Sequence, residues 1–142
     1  MTDWIEAETN THQDHVIAHV IGATVLGFFV WDETAFFLLD IGFIWNVYLD
    51  GEMGLVPHPV AINELEAPEP VKIQLRADVD LLLMGNQNQI TNQIIRPSFY
   101  SPVQGVNFSI SGSSRLLLLT CEEEALRVET SLETREVKIY EL

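Results

Sequence analysis

From Val16 to Val56 apolar residues dominate and are broken at short intervals by turn formers, a pattern that predicts consecutive strands. The expected strands run over about 15–31, bent or divided near Gly22 and Gly27, then over 35–40, 43–49 and 52–56. Asp32-Glu33-Thr34 and Ile41-Gly42 would interrupt pairing. Asp50-Gly51 is the strongest hairpin dipeptide in the chain, because both positions tolerate positive φ. A meander is expected here.

Residues 57–70 hold four of the six prolines, which exclude a continuous central strand and mark a connector with one helical turn around Val60–Leu65. Residues 71–77 alternate apolar with polar or charged side chains, so a strand is expected with Val71, Ile73 and Leu75 inward. Residues 78–84 are leucine-rich and fit either a strand or a short helix. From Gly85 to Gly105 the chain is rich in Asn, Gln, Ser and Pro, which predicts a long loop or polar crossover.

The last third returns to strand pattern at 106–111, 115–121, 125–131 and 135–141, with a turn at Gly112-Ser113-Ser114. The Leu116–Leu119 block suits a strand buried on both faces. In the final pair Leu126 and Val128 would join Val137 and Ile139 on the core side, leaving Arg127 and Glu129 outside, opposite Glu136 and Lys138. A helix from Thr120 competes, since Thr120-Cys121-Glu122-Glu123 matches a capping box. Together these elements predict a mainly β fold, an antiparallel sandwich or partly closed barrel with a proline-rich connector and at most one or two short helices. The alternative is an α+β arrangement.

Length changes this picture little: 142 residues suit one domain, with residues 1–13 as an N-terminal arm or short capping helix. Charge changes it more. The net charge is −14, and residues 1–71 carry twelve acidic side chains and no Lys or Arg, the first basic residue being Lys72. Such a field repels phosphate backbones and anionic lipid heads and favours basic protein surfaces or cations, which argues against nucleic-acid and membrane-surface binding. Residues 16–31 form an apolar run interrupted only by His19. A spanning helix needs about 20 such residues, so buried strands account for the run better. With Cys121 the sole cysteine and no basic, apolar leader at the N-terminus, a cytoplasmic protein is expected.

His12, His15 and His19 are the first candidates for chemistry. On a helix their spacing would align three imidazoles for a transition metal such as Zn, Ni or Cu; on a strand His12 would face away from the other two. Glu6, Glu8 or His58 are the candidates to complete such a site. Cys121 precedes three glutamates, a setting that raises a thiol pKa, so a small core side chain is the expected role rather than a nucleophile. Acidic pairs occur at Asp32-Glu33, Asp50-x-Glu52 and Asp78-x-Asp80, the last resembling the DxD of metal-dependent sugar transfer. Turn formation explains the first two equally well. No phosphate loop, GxSxG elbow, HExxH or CxxC is present. Phe28, Phe29, Trp31, Phe36, Phe37, Phe43 and Trp45 crowd the front strands, with Phe29 and Trp31 on one face and Phe43 and Trp45 sharing another. Any surplus apolar surface there would form a ligand cavity or an oligomer interface.

Three functions follow as expectations. The leading one is a small acidic, non-enzymatic interaction module for a basic protein partner. The others are a metal-binding protein or metal-dependent enzyme using the histidine cluster, and a small-molecule-binding β-barrel lined by the front aromatics. Homo-oligomerisation fits the apolar front strands, although the charge opposes it.

Overall fold

Short turns, most of them at the positions the sequence marks, fold the chain into two antiparallel meanders. The computed structural model describes residues 3–85 and 91–142. In chain order the elements are β1 (Ile5–Glu6), α1 (Thr11–Val20), β2 (Val25–Trp31), β3 (Thr34–Leu39), β4 (Phe43–Val47), β5 (Met53–Pro57), α2 (His58–Asn63) and α3 (Glu69–Leu83). They continue with β6 (Gly105–Ser111), β7 (Ser114–Thr120), β8 (Ala125–Ser131) and β9 (Val137–Glu141). One sheet has the order β2-β3-β4-β5 and the other β1-β6-β7-β8-β9. The fold is mainly β and sandwich-like, and the sheets do not close into a barrel.

Period-two alternation explains the layering. On the front sheet Phe28, Phe37, Trp45 and Met53 face the second sheet and meet Phe108, Leu117, Leu119, Leu126 and Val128, while α1 closes this core with Val16 and Val20. The intervening residues Phe29, Phe36, Leu38 and Ile44 point the other way and are covered by Ile62 of α2, Leu75, Val79 and Leu82 of α3, and Ile94. Every residue of β3 is buried. The layers are therefore sheet, sheet, helices, with β2–β5 in the middle.

Turn chemistry sets the registers. Asp32 and Glu33 take φ of 47° and 62° between β2 and β3, the left-handed pair that a two-residue hairpin requires. At the β4–β5 turn Gly51 has φ 89°, and a side chain there would meet the Phe108 ring at 2.6 Å. Gly27 is needed for close approach instead. A Cβ would lie 2.3 Å from Ile94 Cγ2, and the β2–β3 register shifts between Val25 and Gly27, letting Ile95 bridge Phe28 on the outer edge of β2.

The helical content corrects the sequence reading in three places. The expected strand over 15–31 begins as α1, and only Val25–Trp31 is extended. Asn10 caps α1 in a reciprocal box with Gln13, and Gln13 Nε2 donates to Gly51 O at 2.8 Å, so a polar residue holds the helix to the β4–β5 turn. The expected strand over 71–77 lies within α3, which resolves the ambiguity over 78–84 as helix. Val71, Leu75, Val79 and Leu82 recur at helical spacing and pack on the front sheet, whereas Ile73 is 57% exposed rather than inward. With α2 there are three helices among the described residues, and α3 has 15 residues, more helix than expected.

Two smaller differences concern the second sheet. Leu117 and Leu119 are buried but Leu116 and Leu118 are only half-buried, because among the described residues no layer covers the outer face of β7. The competing helix after Thr120 does not form; β8 is a strand with Leu126 and Val128 buried. In its pairing with β9 Glu129 opposes Lys138, but Arg127 opposes Tyr140. Residues 3–10 are tied down rather than a free arm: β1 pairs Ile5 with Ile110, and Ala7 N donates to Phe108 O. The expected loop 85–105 is irregular where described, and its residues 86–90 lie outside the described part.

One buried charge organises that region. Asp78 on α3 is fully buried, and its carboxylate accepts the backbone N–H groups of Asn92, Gln93 and Ile94 at 2.6–3.0 Å. Several N–H donors converging on one carboxylate are a strong, charge-assisted anchor. Replacing Asp78 with Ala leaves these donors without their acceptor, and the expected cost is about 3 kcal/mol. Urea denaturation checks this, and an unchanged midpoint would refute the anchoring role.

Candidate functional site

The acidic front half reaches the surface almost whole. Of its twelve carboxylates, ten are exposed and Glu33 and Glu52 are half-buried. Among the described residues only Glu33 and Glu69 of these enter an ion pair, with Arg135 and Arg76. Arg135 donates through Nε and Nη2 to both oxygens of Glu33, at 2.7 and 2.6 Å. These bonds hold the Glu33 carboxyl below its usual range, and Arg76 does the same for Glu69.

One group of the remaining carboxylates is assembled where α1 meets the β4–β5 turn. Asn10 Nδ2 donates to Glu52 Oε1 at 2.8 Å, Glu52 N donates to Asp50 Oδ1 at 2.9 Å, and Thr9 Oγ1 donates to Asp14 Oδ1. Glu6 and Glu8 flank a neighbouring groove of about 500 Å³ that continues over Val106 and Phe108. Arg115 reaches this turn through Asp50 O. The pairs Asp32-Glu33 and Asp50-x-Glu52 thus serve turns, as their sequence allowed.

The three histidines lie on α1 and all are exposed. Helical spacing brings His15 and His19 together, with ring centroids 4.9 Å apart. His12 turns away, its Nε2 lying 3.0 Å from Met53 O. His58 is at the opposite end of β5, where its N–H donates to Gly42 O. Among the described residues no group of three or more His, Cys, Asp or Glu side chains converges to hold a metal. Asp78 and Asp80 also diverge, Asp78 inward to its amides and Asp80 into solvent.

Cys121 is buried between the sheets. Burial pushes its thiol pKa up and Glu124 adds to the rise, with the nearby Ser101 hydroxyl opposing it. The outer face of the second sheet is polar and internally satisfied. Arg127 lies over the rings of Trp4 and Tyr140 at 5.9 and 5.8 Å and pairs with Glu129 at 2.8 Å. Tyr140 OH donates to Glu129 Oε1 at 2.7 Å.

A different kind of site occurs where the helical layer stops short of the front sheet. Trp31, Thr34, Phe36, Asn46 and Tyr48 line a cavity of about 300 Å³ bordered by Asp32, Glu64 and Glu66. Alternation along β2, β3 and β4 aims these side chains at the helical side, and period two in the sequence already placed Trp31 with Phe29. What it did not show is where the covering helices end. No protein-family model, curated protein or solved structure matches the chain.

Two titrations check these environments. Tyr140 has its pKa raised by burial first and then by the bond to Glu129 and that residue's charge. Ionising it sets a phenolate beside a carboxylate, so its stabilising contribution is present at neutral pH and lost as pH rises through the folded pKa. Glu129→Gln is expected to lower the Tyr140 pKa toward the ordinary tyrosine value in an NMR titration; no movement would contradict the geometry. Cys121 should react with a thiol reagent about two orders of magnitude more slowly in the native chain than in denaturant at neutral pH. Comparable rates would contradict its burial.

Proposed function

We propose that this chain is a small non-enzymatic interaction module of the cytoplasm that engages a basic protein partner through its acidic front half. The observation that carries this reading is the exposure of nine front-half carboxylates that make no ion pair among the described residues. Carboxylates at such density raise the free energy of the isolated chain by mutual repulsion. A partner bearing Lys and Arg relieves that repulsion and is drawn in by the field at the same time. The same field disfavours nucleic acid and anionic lipid. Among the described residues no helix is long and apolar enough to cross a membrane.

Binding that rests on exposed charge is screened by salt. Capture of hexaarginine amide by the full chain is expected to weaken roughly tenfold between about 50 mM and about 300 mM NaCl, because the Debye length shortens over that range. A neutral peptide of equal length should not be retained. Salt-independent capture, or no capture of the basic peptide, would overturn the proposal.

A further inference from the structure

The corner cavity of the front sheet has features that a solvated acidic surface lacks. It opens beside the point where α2 ends at Asn63, and the core that α2 and α3 form with Phe29, Phe36, Leu38 and Ile44 adjoins it. Gly54 on β5 lies opposite Asn46 and keeps the floor clear; a side chain there would meet Asn46 Oδ1 at 3.6 Å. The walls are aromatic and held in place. Trp31 Nε1 donates to Glu66 O at 3.0 Å, fixing the indole against the connector after α2. Phe36 stacks on Phe29 with centroids 4.8 Å apart and planes 9° from parallel. Tyr48 OH accepts from Asn46 Nδ2 at 3.1 Å.

That last bond leaves the other end of the amide exposed to a need. Asn46 Oδ1 is buried from solvent and has no hydrogen-bond partner among the described residues. A buried acceptor left unmet costs about 1–3 kcal/mol, and a donor entering the cavity recovers that cost once the Asn46 side chain turns its Oδ1 toward the opening. The rim is negative: Asp32, Glu64 and Glu66 are exposed and make no ion pair among the described residues. Arg135 stands beside the Asp32-Glu33 hairpin, and its guanidinium is engaged by Glu33. Lys72 and Arg76 turn to the end of α2, where both bond Asn63.

From this combination we infer that the corner is the seat of an arginine side chain presented by the basic partner, an inference that rests on the interaction reading above. A guanidinium is planar and weakly hydrated, so it stacks on aromatic faces such as Trp31 and Tyr48. It carries five N–H donors, enough to satisfy Asn46 Oδ1 and reach the carboxylates of the rim. An ammonium would feel the same charge but has no plane to stack. The cavity, at about 300 Å³, admits the whole side chain.

The three tryptophans provide the readout, because Trp31 lines the corner, Trp45 is fully buried between the sheets and Trp4 lies on the outer face of the second sheet. The ¹⁵N-labelled full chain is titrated with hexaarginine amide while the three indole N–H resonances are followed. Trp31 is expected to shift saturably, with Trp45 and Trp4 unmoved. The exposed double variant Glu64→Gln/Glu66→Gln should weaken that shift by about fivefold, and Gly54→Leu, which fills the floor, should abolish it. Hexalysine amide should bind several-fold more weakly. If hexaarginine moves the amides around Glu6, Glu8 and Asp14 but not Trp31, the corner inference falls and the interaction reading stands. If it perturbs no resonance at low salt, both fall. Equal affinity for hexalysine would overturn the arginine assignment.

Discussion

A sheet that is apolar on both faces must be covered on both, and this constraint on β2–β5 governs the rest of the molecule. Phe28, Phe37 and Trp45 on one face and Phe29, Phe36 and Leu38 on the other could not remain in water, and all six residues of β3 are buried. The second meander supplies one cover and the helices after β5 supply the other. Each side chain of Phe or Leu size so removed from water contributes about 1.5–3 kcal/mol before the entropy of ordering the chain is counted. The outer face of β6–β9 has no such need, which is why Leu116 and Leu118 stay half-buried among Arg127, Glu129 and Tyr140.

The corner cavity follows from the same constraint. Sheet area and helix length are set by different parts of the sequence, and they do not match at the end of the front sheet where Trp31, Asn46 and Tyr48 sit. Solvent reaches aromatic surface there under a rim of carboxylates. Elsewhere the acidic side chains brace turns, as Asp50 does, pair with arginines, as Glu33, Glu69 and Glu129 do, or stand in solvent. Asp78 is the exception, buried because three backbone N–H groups meet it.

Much of this was legible in the residues. Alternation and turn dipeptides located eight of the strands, and the layering of the aromatics followed from period two. The helices were harder. The apolar stretch after His15 concealed α1, although Asn10 and Gln13 form a reciprocal cap that local spacing marks. Residues 71–77 alternate as a strand would, yet Val71, Leu75, Val79 and Leu82 also carry a helical period, and Pro70 near the start favoured the helix. Tertiary packing agrees with the helical period, since Leu75, Val79 and Leu82 cover the face of β2–β5 that the second sheet leaves open. The histidines were legible as residues but not as a set, because His12 is drawn to Met53 O on β5. The corner could not be read at all: its aromatics were visible, but its opening depends on where α2 ends.

Native-state hydrogen exchange of the full chain tests the central claim, that a doubly covered front sheet holds the structure together. Amides of β3 should exchange only through global unfolding, more slowly than those of the edge strands β1 and β9. If β3 exchanged as fast as β9, the front sheet would be neither doubly covered nor the hub of the fold.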